Sequence, residues 1–303
     1  MRKLSPLPFA LSLLLALLLL VACSPATTNT QDDSEAVVIL GESEDSATGL
    51  STVSELQILI PANDMEVGTP RIPFILMDGG RMEREAKQVF LSVFQIDSES
   101  SAPIWEGTAT NYSDYEVPYW VFYPQIDEPG NYGVLARILQ ADDSSTEAQF
   151  AVAILESAIA PAVGDLGVGS QTPVSDDLET IQTFSSDFDP DVDLYQVSLD
   201  EALNNGRPTV ISFSTPAYCQ TAICAPVLNS VKSVKNENSS GIDFVHVEIF
   251  SDFETFEVAE SISEWQLQSE PWTYVLDSNG VITSRFAGPL SPTELQASIA
   301  DLN

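Results

Sequence analysis

The chain alternates between stretches whose apolar residues recur at a regular spacing and stretches where they do not. An apolar run over 7–21 follows Arg2 and Lys3 and is interrupted only by Pro8 and Ser12. Residues 24–54 are rich in Ser, Thr, Asp and Glu, with few large apolar side chains outside a short patch at 36–40. Such a segment cannot bury enough surface to order itself and reads as a flexible tether. From 55 to 155 the pattern is that of strands. Runs at 56–60, 72–77, 88–96, 102–109, 118–123, 132–139 and 149–155 are separated by turn residues such as Asp78-Gly79-Gly80 and Glu128-Pro129-Gly130-Asn131. Val89, Leu91 and Val93 alternate with Gln88 and Ser92, as on a half-buried strand. Periodicity is lost again over 156–190, which reads as an acidic interdomain linker.

From 191 onward helical and strand patterns interleave. Ser198-Leu199-Asp200-Glu201 is a capping box that opens a short helix ending near Asn205-Gly206. A strand is predicted over 208–214, a helix over 225–235 and a strand over 242–250. A helix is predicted over 255–267, with Phe256, Ala259, Ile262 and Trp265 on one face. Strands at 272–276 and 281–286 flank the turn Asp277-Ser278-Asn279-Gly280. Ser291-Pro292-Thr293-Glu294 is a second capping box, with Pro292 at the first helical position. The predicted order is β-α-β-α-β-β-α. About seven short strands in about 100 residues point to an immunoglobulin-like sandwich over 55–155. The expected fold class is therefore multidomain, an all-β immunoglobulin-like sandwich followed by an α/β domain over 191–303. Tyr112, Tyr115, Tyr119, Trp120 and Tyr123 read as filling the sandwich core and its strand ends, with a binding surface as the alternative.

The basic start, the short apolar run and the small residues that close it make a secretory leader over 1–22. The run is too short for a comfortable membrane span, which needs about 20 apolar residues. It ends Leu20-Val21-Ala22-Cys23, which resembles the lipobox of bacterial lipoproteins. The resemblance implies lipidation of Cys23, an extracytoplasmic location and a membrane anchor, with inner or outer membrane left open. The formal charge is −34, and losing Arg2 and Lys3 with the leader takes it to −36. Such a surface repels nucleic acid and anionic headgroups, so no nucleic-acid partner is expected and attachment must come from acyl chains. Asp187, Asp189, Asp191 and Asp193 alternate, but Val192 and Ser198 stand where a calcium loop wants Gly and Glu. They read as a solvated acidic stretch, and no metal or organic cofactor is implied. His246, the one histidine, falls mid-strand and reads as a packed residue.

Thr209-Val210-Ile211-Ser212-Phe213 is similar to the central strand of thioredoxin-like proteins, and Tyr218-Cys219-Gln220-Thr221-Ala222-Ile223-Cys224-Ala225-Pro226 follows where that family carries its redox motif. Glu270-Pro271-Trp272-Thr273-Tyr274-Val275-Leu276-Asp277-Ser278-Asn279-Gly280 resembles a segment of membrane-anchored thiol-disulfide oxidoreductases. The resemblance covers about 191–303. It implies a thioredoxin-like fold and a catalytic pair, Cys219 and Cys224. It also implies a cis-proline at Pro271, which with Trp272 would shape a groove for partner chains. Protein thiols and disulfides are the implied partners. The spacing departs from the family's Cys-x₂-Cys. Cys-x₄-Cys occurs in Q-type peroxiredoxins, but Pro271 stands where those enzymes need an arginine.

On one continuous helix, five residues would set the two cysteines about 140° and about 7.5 Å apart, beyond the roughly 7 Å that a disulfide spans. Pro226 is tolerated only in a first turn. Cys219 is therefore expected in the loop and Cys224 at the helix start. Either cysteine could attack; the place of Cys219 after the strand favours it. The leading reading is a membrane-anchored extracytoplasmic thiol-disulfide oxidoreductase. The alternatives are a non-catalytic adhesion or assembly lipoprotein with a structural disulfide, and a thiol peroxidase.

Overall fold

The computed structural model describes residues 56–303 apart from 97, 239, 240, 301 and 303. The leader over 1–22, the tether over 23–54 and Cys23 lie outside the described residues. The fold is mostly β-sheet with few helices, and among the described residues no helix is long and apolar enough to cross a membrane.

The first strands are β1 (Leu56–Leu59), β2 (Ile72–Asp78), β3 (Arg81–Met82), β4 (Gln88–Gln95), β5 (Trp105–Thr108), β6 (Thr110–Tyr112), β7 (Tyr119–Phe122), β8 (Gly130–Leu139) and β9 (Ser145–Ile154). One antiparallel sheet runs β1-β2-β7-β6, with β3 paired to β2; a second runs β5-β4-β8-β9. Alternate residues of both enter one core: Phe74 and Leu76 from β2, Trp120 and Phe122 from β7, Val89, Leu91 and Val93 from β4. This is the period-two burial expected of facing sheets.

The stretch over 156–190, expected as a linker, is packed. It carries α1 (Leu178–Ile181), capped by the Asp177 side chain, and buries Ala160, Ile181 and Ser185. Its anchors are single residues at irregular spacing, which a periodicity argument does not detect. The alternating aspartates are not simply solvated. Asp187 pairs with Lys232 at 2.5 Å, and Asp191 and Asp193 pair with Lys235 at 2.7 and 2.8 Å.

The remaining elements are α2 (Leu199–Ala202), β10 (Thr209–Ser214), α3 (Cys224–Glu237), β11 (Asp243–Glu248), β12 (Phe250–Asp252), β13 (Glu257–Val258), α4 (Glu260–Glu264), β14 (Trp272–Leu276), β15 (Ile282–Ala287) and α5 (Pro292–Ile299). The sheet order is β11-β10-β14-β15, with β10 and β11 parallel and the other pairs antiparallel. Helix α3 is the crossover between the parallel strands β10 and β11. The helix predicted over 255–267 is replaced by the β12–β13 hairpin and the short α4. Asp252 Oδ1 accepts the Glu254 and Thr255 amides, and that local cap competes with helix formation. Phe256, expected on the helical face, stands exposed in the hairpin.

Strands β2 and β7 are buried on both faces. Ile75, Tyr119 and Val121 turn away from the sheet-to-sheet core and join Val227, Leu228 and Val231 of α3 and Leu295 and Ile299 of α5. Tyr119 and Trp120 thus fill the interior rather than form a binding surface. At this junction the buried Arg71 donates to Glu294 through Nε (2.7 Å) and Nη2 (2.8 Å), and to the carbonyls of Ala287 and Pro289. Tyr119 and Tyr123 donate to the same carboxylate at 2.6 and 3.1 Å. Burial alone would raise the Glu294 pKa, but the Arg71 charge and these hydrogen bonds hold it below the usual carboxylate range.

Arg71→Ala would strand that buried carboxylate and is expected to lose about 3–5 kcal/mol of stability in urea denaturation. Because the folded pKa of Glu294 is depressed, its contribution is complete above the unfolded value of about 4.3 and is lost as pH falls through the folded one. Glu294→Gln is therefore expected to flatten the acid limb of the stability profile below that value.

Candidate dithiol site

Strand β10 ends at Ser214, and the chain makes a loop before α3 begins at Cys224. Two features let that loop double back. Ala222 takes a left-handed backbone (φ 56°), and its amide bonds the Cys219 carbonyl at 3.4 Å. Pro226 then falls in the first helical turn, where its missing N–H leaves no intrahelical bond broken. Cys219 and Cys224 are joined in a disulfide with their Cα atoms 5.9 Å apart, within the span such a bond allows.

The two sulfurs have different surroundings. Cys224 is fully buried, whereas Cys219 is only partly so. The Cys224 backbone N–H, at the N-terminus of α3, donates to Cys219 Sγ at 3.3 Å. The Thr221 hydroxyl donates to the same sulfur at 3.3 Å. Helix N-terminal amides carry partial positive charge and favour an anion there. Negative charge released on this pair is thus stabilised at Cys219.

The Glu270–Pro271 bond is cis. Pro271 is buried, and its carbonyl accepts the Gly288 amide at 3.0 Å. Gly288 has φ 80°, and a Cβ there would lie 3.0 Å from the Pro61 carbonyl, so this close approach requires glycine. Trp272, expected beside Pro271 in a partner groove, packs inward: it is 1% exposed and stacks on Tyr274. Alternation along β14 puts both rings on the face that fills the inner core with Phe213 and Trp265. Glu270, just before the proline, accepts the Gln220 backbone N–H from the loop between the cysteines, and partial burial raises its pKa. Its place immediately before the proline was the only signal for it in the sequence.

A second support comes from the stretch expected as a linker. Ser186 donates its amide to Glu248 at 2.8 Å, and its hydroxyl accepts the Ala217 amide at 3.3 Å, tying down the loop ahead of Cys219. His246 is buried, with Tyr195 on Nδ1 (2.8 Å) and the Ser214 carbonyl on Nε2 (3.0 Å). Burial pulls its pKa below the usual range, although Glu248 acts in the opposite sense. Neither residue has a periodic signature.

No family model matches the chain, and no match is found among curated proteins. Parts of the chain are similar to solved structures. A thiol:disulfide interchange protein of the thioredoxin family from Chlorobium tepidum TLS aligns at 18% identity over 34% of this chain and 83% of its own, with a TM-score of 0.28. StoA from Bacillus subtilis aligns at 18% over 31% and 82%, with a TM-score of 0.26. CopC from Methylosinus trichosporium OB3b aligns at 15% over 31% and 84%, with a TM-score of 0.23.

The asymmetry of the two sulfurs can be measured. With Cys224→Ser, the thiol of Cys219 is expected to react with iodoacetamide at least about tenfold faster than the thiol of Cys224 does with Cys219→Ser. Equal rates would show that burial and the helix terminus do not distinguish the two positions.

Proposed function

We propose that the chain is an exported, lipid-anchored thiol-disulfide oxidoreductase. In this reading the leader over 1–22 is removed and Cys23 carries the lipid. An immunoglobulin-like sandwich occupies 55–155, and a thioredoxin-like domain over 191–303 bears the working pair. The observation that carries it is the partly exposed Cys219 sulfur under the α3 amide, with Cys224 buried behind it.

From the reduced pair, the Cys219 thiolate attacks one sulfur of a partner disulfide. The partner's S–S bond breaks, its other sulfur leaves as a thiolate and takes a proton, and a mixed disulfide forms. Cys224 then gives up its proton, and its sulfur attacks Cys219 Sγ. The Cys219–Cys224 bond forms and the partner departs as a dithiol, having gained two electrons and two protons. The reverse sequence oxidises a partner through the same groups, and the relative potentials set the direction. The Cys219 end of α3 favours the thiolate both as attacker and as leaving group.

Wild-type protein is expected to accelerate insulin reduction by dithiothreitol. Cys219→Ser is expected to abolish the acceleration, and Cys224→Ser to halt at a mixed disulfide visible on a non-reducing gel. The pair's potential is expected above about −300 mV. A lower potential together with no insulin turnover would sink the redox reading in favour of a stapled, non-catalytic adhesion or assembly lipoprotein.

A further inference from the structure

Next to Cys219 the chain builds an aromatic platform that the exchange steps do not use. The Tyr218 ring packs against Phe253 at 5.4 Å and edge-on against Phe256 at 5.2 Å, and Phe250 meets Phe256 at 5.3 Å. The three phenylalanines come from the β12–β13 hairpin, which lies outside the four-stranded sheet. The platform is open: Tyr218 is 40%, Phe256 48% and Val258 49% exposed. Phe256 is held there at φ 56°, a left-handed conformation unfavourable for a bulky side chain. The Asp252 cap and the hairpin pairing impose it. Folding thus keeps an aromatic ring in water when the same residue on a helix could have been buried.

The rim of this platform is uniformly acidic. Asp252, Glu254, Glu257 and Glu260 are exposed within the hairpin and at the start of α4. No Lys or Arg occurs between Arg207 and Lys232, or between Lys235 and Arg285. The cations that bound those intervals are taken: Arg207 by Asp243, Lys232 by Asp187, Lys235 by Asp191 and Asp193, and Arg285 by Asp64. The negative field over the rings is therefore uncompensated.

We propose that this platform docks the partner: a cysteine-bearing polypeptide segment whose neighbouring residues are apolar and cationic. The inference rests on the redox reading above. Apolar side chains cover the exposed rings, and Lys or Arg satisfies the acidic rim and can stack on the ring faces. A cation beside the partner's cysteine also favours its thiolate, the form that attacks or leaves. Anionic segments are repelled, so the surface discriminates by charge as well as by contact.

Three acetylated, amidated peptides test this: Lys-Phe-Cys-Phe-Lys, Glu-Phe-Cys-Phe-Glu and Lys-Ala-Cys-Ala-Lys. The rate at which each reduces the oxidised full chain is divided by its rate with the uncharged bis(2-hydroxyethyl) disulfide, which removes differences in intrinsic thiol reactivity. At low ionic strength the first is expected to exceed the second roughly tenfold and the third severalfold. About 0.5 M salt should compress the charge preference and spare the aromatic one. Glu254→Lys combined with Glu257→Lys is expected to narrow or invert the preference; the peptide comparison on wild type stands even if that variant does not fold. Equal normalised rates for all three peptides overturn the docking surface while leaving the exchange activity intact. Failure of every peptide and of dithiothreitol to open the disulfide overturns the redox reading itself.

Discussion

Arg71 is enclosed by a carboxylate, two carbonyls and the faces of Tyr119 and Phe286, with ring centroids 5.8 and 5.3 Å from the guanidinium carbon. Most of these groups lie more than 200 positions away in the chain. The clamp sits where the β1-β2-β7-β6 sheet turns its second apolar face onto α3 and α5. Burying one large apolar side chain contributes about 1.5–3 kcal/mol, so the shared core supplies the cohesion. The clamp supplies geometry: planar, bidentate pairing fixes the angle and register of the contact in a way that apolar packing does not. Arg285 makes a second set of long-range contacts, donating to the Asp64 side chain and to the carbonyls of Ala160 and Pro161. The helix that starts at Cys224 is therefore held from below by a sheet belonging to the first half of the sequence.

That support changes the meaning of the local economy at the dithiol. A five-residue step between cysteines is unfavourable on a regular helix, and the chain avoids the problem by not being helical until Cys224. One left-handed residue, Ala222, and a proline in the first turn suffice. A floppy α3 would gain little from such a loop, because the amide that faces Cys219 would wander. Here Val227, Leu228 and Val231 fix α3 against β7, so the donor is preorganised.

The sequence made legible whatever depends on local chemistry. The Ser291-Pro292-Thr293-Glu294 box starts α5 as expected, with Ser291 accepting the Glu294 amide. The side chain of Glu294 nonetheless leaves the box for Arg71, because a buried guanidinium outcompetes a single backbone amide. At Ser198 the box residue makes no cap at all; its hydroxyl accepts the Thr172 amide instead. The strand at β10, the helix after Cys224 and the turn at Asp277–Gly280 were readable for the same reason. What escaped was non-local. Continuous burial of β2 and β7 looks in sequence like any apolar run, and the partners of Ser186 and His246 are set by tertiary contacts. The hairpin was misread because Phe256, Ala259, Ile262 and Trp265 keep a helical spacing whether or not a helix forms.

The charge of the chain constrains how its dithiol can work. Thiolates are commonly stabilised by neighbouring Lys, Arg or protonated His. Among the described residues, the basic side chains that flank Cys219 in the sequence, Arg207 and Lys232, are ion-paired to Asp243 and Asp187, and His246 is buried with its pKa lowered. A formal charge of −34 would, by itself, oppose the release of another negative charge. The backbone resolves the conflict, since an amide dipole at 3.3 Å acts locally and in one direction, whereas surface carboxylates act at longer range through screened solvent. The site can therefore favour a thiolate at Cys219 while the rim over Phe253 and Phe256 stays strongly anionic. Stabilising that thiolate and drawing in a cationic partner are then carried by two separate structures, the α3 terminus and the β12–β13 hairpin, and either can be altered without the other.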